Sequence, residues 1–242
     1  MRTHLLTLLI FLTALSCSSD AKKHAIATDT DTGEKMEKEQ HRLKYLALGD
    51  SYTIGQSVDI TQRYPVQIAD SLKKRGYLVE APEIIAVTGW TTSDLKAGIQ
   101  TANPKGPYDL VSLLIGVNNQ YRGMDINIYR TEFGELIDQS IKFAGNDTGR
   151  VIVLSIPDWG VTPFATGRDR EKIAGEIDLY NAINKEITLS RGIAWIDVTA
   201  ISRLAEQDET LIAGDGLHPS GKMYTEWVRV AFSEIVKMLK EE

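Results

Sequence analysis

Residues 43–53 read Leu-Lys-Tyr-Leu-Ala-Leu-Gly-Asp-Ser-Tyr-Thr. Leu43–Leu48 is a short apolar run with the character of a buried strand, and it stops at Gly49-Asp50-Ser51. A serine beside a glycine, just past a buried strand, suits a tight strand-to-helix turn. Such a turn can hold a hydroxyl at the carboxyl edge of a parallel sheet, where open α/β folds place their ligands. Gly, Asp and Ser are also ordinary turn formers, so by themselves they suit a plain loop equally well. What decides between the two is which other loops reach the same edge.

Apolar runs recur along the chain. Leu43–Leu48, Glu83–Val87, Leu110–Ile115, Val151–Ile156 and Ile193–Ile196 have the length and continuity of strands. Helical spacing lies between them, over Tyr64–Lys74, Ser93–Gln100, Tyr129–Phe143, Arg170–Leu189 and Gly221–Leu239. Gly76 follows the first of these as a plausible stop. Alternating strands and helices predict an α/β fold, a parallel sheet with helices on both faces. Apolar residues at consecutive positions agree with strands covered on both sides. No internal repeat and no second domain boundary is visible.

In such a sheet, function collects in the loops after the strands. The loop after the second run is Thr88-Gly89-Trp90-Thr91-Thr92-Ser93. Gly89 leaves a backbone N–H approachable, and Ser93 or Thr92 could cap the next helix. After the third run comes Gly116-Val117-Asn118-Asn119. An asparagine amide is a neutral donor, suited to a carbonyl oxygen that becomes negative, although an Asx-type turn would also use it. The loop 157–168 carries Trp159 and Phe164, which either shape a substrate pocket or pack the loop down.

Past the fifth run stands Asp215-Gly216-Leu217-His218-Pro219. Of the four histidines, His4 lies in the leader, His24 in the polar stretch after it and His41 at the domain edge, and His218 alone lies well inside the folded region. A serine at its free pKa is a poor nucleophile and needs an adjacent base. If Ser51 is catalytic, His218 is the imidazole to serve it, and Asp215 could hold the ring through its other nitrogen. An Asp-x-x-His pair could also be part of a metal site, but no second His and no Cys cluster completes one.

Taken together, these stretches resemble the SGNH hydrolases, also called the GDSL family of esterases and lipases. The likeness runs from about residue 43 to the C-terminus, with the blocks in the family's order. The resemblance implies a flavodoxin-like three-layer α/β/α sandwich around a five-stranded parallel sheet. It implies a serine esterase that cleaves O-acyl esters without metal or organic cofactor. Ser51, His218 and Asp215 would form the triad, and Ser51, Gly89 and Asn118 the oxyanion hole. The single-domain lysophospholipase and acyl-thioesterase members look most alike in plan. The family's third block often reads Gly-x-Asn-Asp, and here Asn119 replaces the aspartate, so no ionic role is expected there. Alternatives are an acyltransferase using the same triad on a sugar hydroxyl, and a non-catalytic glycan-binding protein. The intact set of five residues argues against the last.

The chain has 242 residues, 43% of them hydrophobic and 25% charged, which is ordinary for a soluble globular protein. A net charge of -6 without a Lys/Arg cluster inside the domain argues against nucleic acid as a partner. A small acyl ester (a lipid, a thioester or an acylated carbohydrate) is the expected substrate. Residues 1–17 combine a short basic start, an apolar run and a small residue before Cys17, the pattern of a signal peptide. Cys17 is the sole cysteine, and its setting resembles the lipobox of bacterial lipoproteins, with Ala14 where that motif prefers leucine. Residues 18–40 are too polar to fold and read as a tether spanning about 25 Å. The expectation is a lipid-anchored exported enzyme, with Ser18 favouring the outer membrane of a Gram-negative cell, and a hydrolase domain at 41–242.

Overall fold

Five strands form one parallel sheet: β1 (Tyr45–Gly49), β2 (Glu83–Ala86), β3 (Leu110–Leu114), β4 (Val151–Leu154) and β5 (Ala194–Ile196). The computed structural model describes residues 41–239. The expected leader at 1–17, Cys17 and the tether at 18–40 lie outside the described residues. Each expected strand forms, with ends shifted by one or two positions. Ile115 and Ile156 stay buried but leave the ladder, because the chain turns there into the loops that face the site.

The strand order is β2-β1-β3-β4-β5. The three inner strands are buried at every residue, whereas β2 and β5 are partly exposed. That is the burial expected of a sheet covered on both faces and open only at its edges. The order also places a topological switch point. From β1 the chain steps outward to β2, then crosses back over β1 to β3. Right-handed crossovers in opposite directions send their helices to opposite faces, which opens a crevice between the carboxyl ends of β1 and β3.

The long helices are α2 (Tyr64–Lys74), α3 (Thr92–Ala102), α5 (Ile126–Phe143), α6 (Arg170–Ser190) and α8 (Gly221–Met238). Three short ones that periodicity did not predict are α1 (Ser51–Ile54), α4 (Val117–Tyr121) and α7 (Thr199–Arg203). Helix α2 packs against α8, while α3, α5 and α6 pack in series. Helix α6 buries Ile173, Ile177, Tyr180 and Ile183 along one stripe. Burial of each such aliphatic side chain contributes on the order of 1.5–3 kcal/mol. Ser220 caps α8 by accepting from Met223 N–H. The cap of α3 is Thr91, not Ser93 or Thr92. Thr91 accepts from Asp94 N–H while the Asp94 carboxylate accepts from the Thr91 backbone, a reciprocal box that satisfies two helix-end donors.

Under the crevice the core is aromatic. Tyr64, Tyr224 and Trp227 are fully buried, and the last two meet edge-to-face at 5.1 Å. The Tyr45 hydroxyl lies 2.8 Å from Ser112 Oγ, and Tyr224 donates to the Tyr52 carbonyl at 2.9 Å. This last bond ties α8 to the turn that carries Ser51.

Candidate active site

Ser51 is the first residue of α1, directly after β1. The turn is tight because Gly49 has no side chain: a Cβ there would fall 2.1 Å from Thr53 Oγ1 and 2.4 Å from the Leu114 carbonyl. Asp50 caps α1 by accepting from Tyr52 N–H at 3.0 Å. Its other carboxyl oxygen is buried without a hydrogen-bond partner. Burial, only partly offset by the Tyr52 N–H, pushes the Asp50 carboxyl up to about 7.

The second half of the site arrives from the far end of the chain. A carboxylate offers about four acceptor positions. Asp215 Oδ1 accepts from the backbone N–H groups of Leu217 at 2.9 Å and His218 at 3.0 Å. Its Oδ2 lies 2.6 Å from His218 Nδ1 and accepts from Ser57 Oγ at 2.7 Å. Partial burial works against the charge, but the Ser57 hydroxyl, the His218 ring and the two backbone donors outweigh it. Together they hold the Asp215 carboxyl well below the usual carboxylate range. The His218 ring is buried against Tyr52, with centroids 5.3 Å apart. Its Nδ1 is engaged by Asp215, which leaves Nε2 for the cavity.

Two further loops supply donors. Gly89 has φ +85°, a left-handed conformation that favours glycine, and its carbonyl accepts from Arg122 at 2.6 Å. Asn118 lies in the first turn of α4, and its amide nitrogen donates to the Trp90 carbonyl at 2.9 Å. An amide carries two N–H donors, so this bond orients the side chain and leaves the second N–H free. Among the described residues, the backbone N–H groups of Ser51 and Gly89 have no hydrogen-bond partner in the chain. Asn119, by contrast, is fully buried and structural. It accepts from Thr92 N–H at 3.0 Å and donates to the Thr92 hydroxyl at 2.8 Å, and that hydroxyl donates to Glu132. An aspartate there could not donate to Thr92, so the asparagine fits the direction of this chain of bonds.

Ser51, Gly89, Asn118 and His218 line one cavity of about 170 Å³, together with Trp159 and Phe164. Asp215 stands behind His218, outside that lining. No hydrogen bond joins Ser51 Oγ to His218 among the described residues, and such bonds commonly tighten only when substrate is bound. A larger groove of about 740 Å³ lies between α2 and α8, but its lining holds no histidine. Among the described residues, no three His, Cys, Asp or Glu side chains group as metal ligands.

The two loop aromatics differ. Trp159 is buried and donates from its indole nitrogen to Gln120 Oε1 at 2.8 Å, so it packs the loop as well as lining the cavity. Phe164 is 42% exposed at the cavity mouth. Tyr121, which the sequence reading missed, joins them at 5.3 Å from Trp159 and 6.3 Å from Phe164. The Arg168 guanidinium lies 5.3 Å from all three ring centroids. Spacing could have found Tyr121, since it follows Asn118 by three residues and so shares its helix face. Tyr52, adjacent to Ser51, was also missed, and so was Ser57, which meets Asp215 across 158 positions.

The GDSL-like Lipase/Acylhydrolase family profile matches residues 47–225. No curated protein matches. Solved structures do. An acetyl xylan esterase, AlAXEase, has a TM-score of 0.63 at 17% identity, covering 79% of this chain and 98% of its own. Phospholipase A1 from Streptomyces albidoflavus NA297 has 0.62 at 20% identity, covering 80% and 100%. TesA has 0.62 at 16% identity, covering 81% and 99%. At these identities the likeness shows a shared fold.

Proposed function

The chain belongs to the GDSL-like lipase/acylhydrolase family and is a hydrolase of ester bonds, and from that premise we propose that it is a serine esterase that removes short acyl groups from alcohol oxygens. The observation that carries this reading is convergence. A strand-end serine, a carboxylate-backed imidazole and three donors from separate loops meet at one cavity. His218 takes the Ser51 proton as Oγ attacks the ester carbonyl. The negative oxygen is held by the N–H groups of Ser51 and Gly89 and by the free N–H of Asn118. His218 then protonates the leaving alcohol, and water repeats the cycle on the acyl-enzyme to release the acid.

The cavity supports a short acyl group. Its 170 Å³ is small beside the roughly 300–1,000 Å³ of sites that enclose drug-sized ligands. The half-exposed rings of Tyr121 and Phe164 at its mouth offer an apolar surface to the alcohol portion. The test is hydrolysis of p-nitrophenyl esters from acetate to palmitate by the domain and its Ser51→Ala variant. Activity concentrated at acetate and butyrate, and abolished in the variant, is the expected result. A variant with full activity would sink the proposal. Activity peaking at palmitate would sink the short-acyl part, and acyl transfer to added sugars in preference to water would favour the transferase.

The leader and Cys17 support a lipid anchor that carries the enzyme to the cell envelope, the outer membrane in a Gram-negative cell. Labelled palmitate should enter the full chain and not its Cys17→Ala variant.

A further inference from the structure

We propose that Ser57 is a fourth, positioning member of the catalytic relay, holding Asp215 in the orientation in which it serves His218. The inference rests on the reading of His218 as the base. Ser57 follows α1 by three residues in sequence, yet its hydroxyl donates to Asp215 near the other end of the chain. It binds the same oxygen, Oδ2, that faces His218 Nδ1, at 2.7 Å against 2.6 Å. With two backbone N–H groups on Oδ1, all four acceptor positions of the carboxylate are filled. Three of those donors belong to the Asp215–His218 loop itself, so among the described residues Ser57 is the one external strut.

The loop carrying Ser57 is braced for this. Ser57 has φ +66°, a left-handed conformation that costs a residue with a Cβ about 1 kcal/mol or more. Next to it, Gln56 accepts from the Thr88 hydroxyl at 2.6 Å, and its N–H donates to the Ser51 carbonyl at 3.0 Å. One short loop therefore joins the nucleophile turn, the Gly89 loop and the Asp215 loop. Ser57 does not line the cavity, so it acts through Asp215 and not on substrate.

A donor on Oδ2 draws away part of the negative charge that would otherwise favour a protonated imidazole. Removing it should move the acidic limb of the kcat/KM profile to higher pH. The other titratable groups around the pair are Tyr52 on α1, Tyr224 on α8, Asp158 after β4 and Asp50. Burial first keeps both tyrosines protonated far above neutrality, reinforced by the Asp50 carboxylate at Tyr52 and by Tyr52 and Tyr64 at Tyr224. Asp158 is paired with Arg203 at 2.9 Å. Asp50 titrates near neutrality, so an Asp50→Asn background provides the control.

The experiment is the pH profile of kcat/KM for wild type, Ser57→Ala and Ser57→Gly, each with and without Asp50→Asn. Glycine removes the hydroxyl while tolerating the positive φ, which covers the case in which the alanine variant folds poorly. The expected result is an acidic limb raised by roughly 0.5–1 unit in both truncations, with kcat lowered about two- to tenfold and KM unchanged. Truncation profiles that superimpose on wild type would overturn the role of Ser57 while Ser51→Ala and His218→Ala remain inactive. An active Ser51→Ala would overturn the esterase reading and this one with it.

Discussion

Two aspartates belong to the site, Asp50 next to Ser51 and Asp215 behind His218, and the molecule treats them in opposite ways. Asp50 is fully buried with one donor, and one of its oxygens has no partner, so burial pushes its carboxyl up to about 7. Asp215 sits at the rim, its side chain 29% exposed, with four donors, and is held well below the usual range. Hydrogen-bond supply decides charge here more than proximity to the site does. The difference has a use. In the proposed mechanism a negative oxygen forms beside Ser51, where an ionised Asp50 would repel it. Behind His218 a fixed negative charge favours the imidazolium that forms at the same moment.

The comparison can be broken most forcefully at Asp215. Asp215→Ala removes the charge that orients and stabilises the imidazolium, and kcat should fall by about 10⁴. A loss below tenfold, measured with the preferred p-nitrophenyl ester, would mean that the charge behind His218 does little. Next is the donor that meets the new negative oxygen. Asn118→Ala should lower kcat by about 10²–10³, with KM nearly unchanged, because the amide acts chiefly in the transition state. A variant that folds normally at full turnover would remove Asn118 from the oxyanion hole.

The smallest effect concerns stability. Asp50 has a folded pKa near 7 against about 3.9 unfolded, so the native state holds its proton more tightly. That contribution is complete below about pH 4 and is lost as pH rises through 7. Between pH 5 and 8 the wild type should lose about 2–3 kcal/mol that Asp50→Asn does not lose, measured by urea unfolding at both values. Equal pH dependence in the two proteins would show that Asp50 is ionised throughout. Asp215 carries the opposite sign. Its depressed pKa stabilises the fold above about pH 4, and that stability fades as pH falls further.

Much of this was legible in the chain. The five apolar runs became the five strands because a strand covered on both faces must be apolar at consecutive positions. Helix α2 matched its expected limits because Pro65 in its first turn and the following Gly76 mark both ends locally. His218 stood out by elimination. Helices α1 and α4 went unseen because four or five residues are too few to display a period. The cap of α3 was misplaced by one or two positions, since Thr91, Thr92 and Ser93 are all competent caps. Only the burial of Thr92 against Asn119 selects Thr91.

The sequence by itself determined the strands, the turn at Gly49-Asp50-Ser51 and the residue types able to act as nucleophile, base and donor. These depend on neighbours within a few positions, whose sterics and periodicity are local. Tertiary structure alone decided the opposite shifts of Asp50 and Asp215, that Trp90 orients Asn118, that Ser57 bonds to Asp215, and that Tyr121, Trp159 and Phe164 ring one cavity. Each of those pairs residues far apart in the chain, and the strand order β2-β1-β3-β4-β5 is what brings their loops to one edge. Charge follows the same rule, because a carboxyl's proton affinity is set by the donors and the solvent that folding delivers to it.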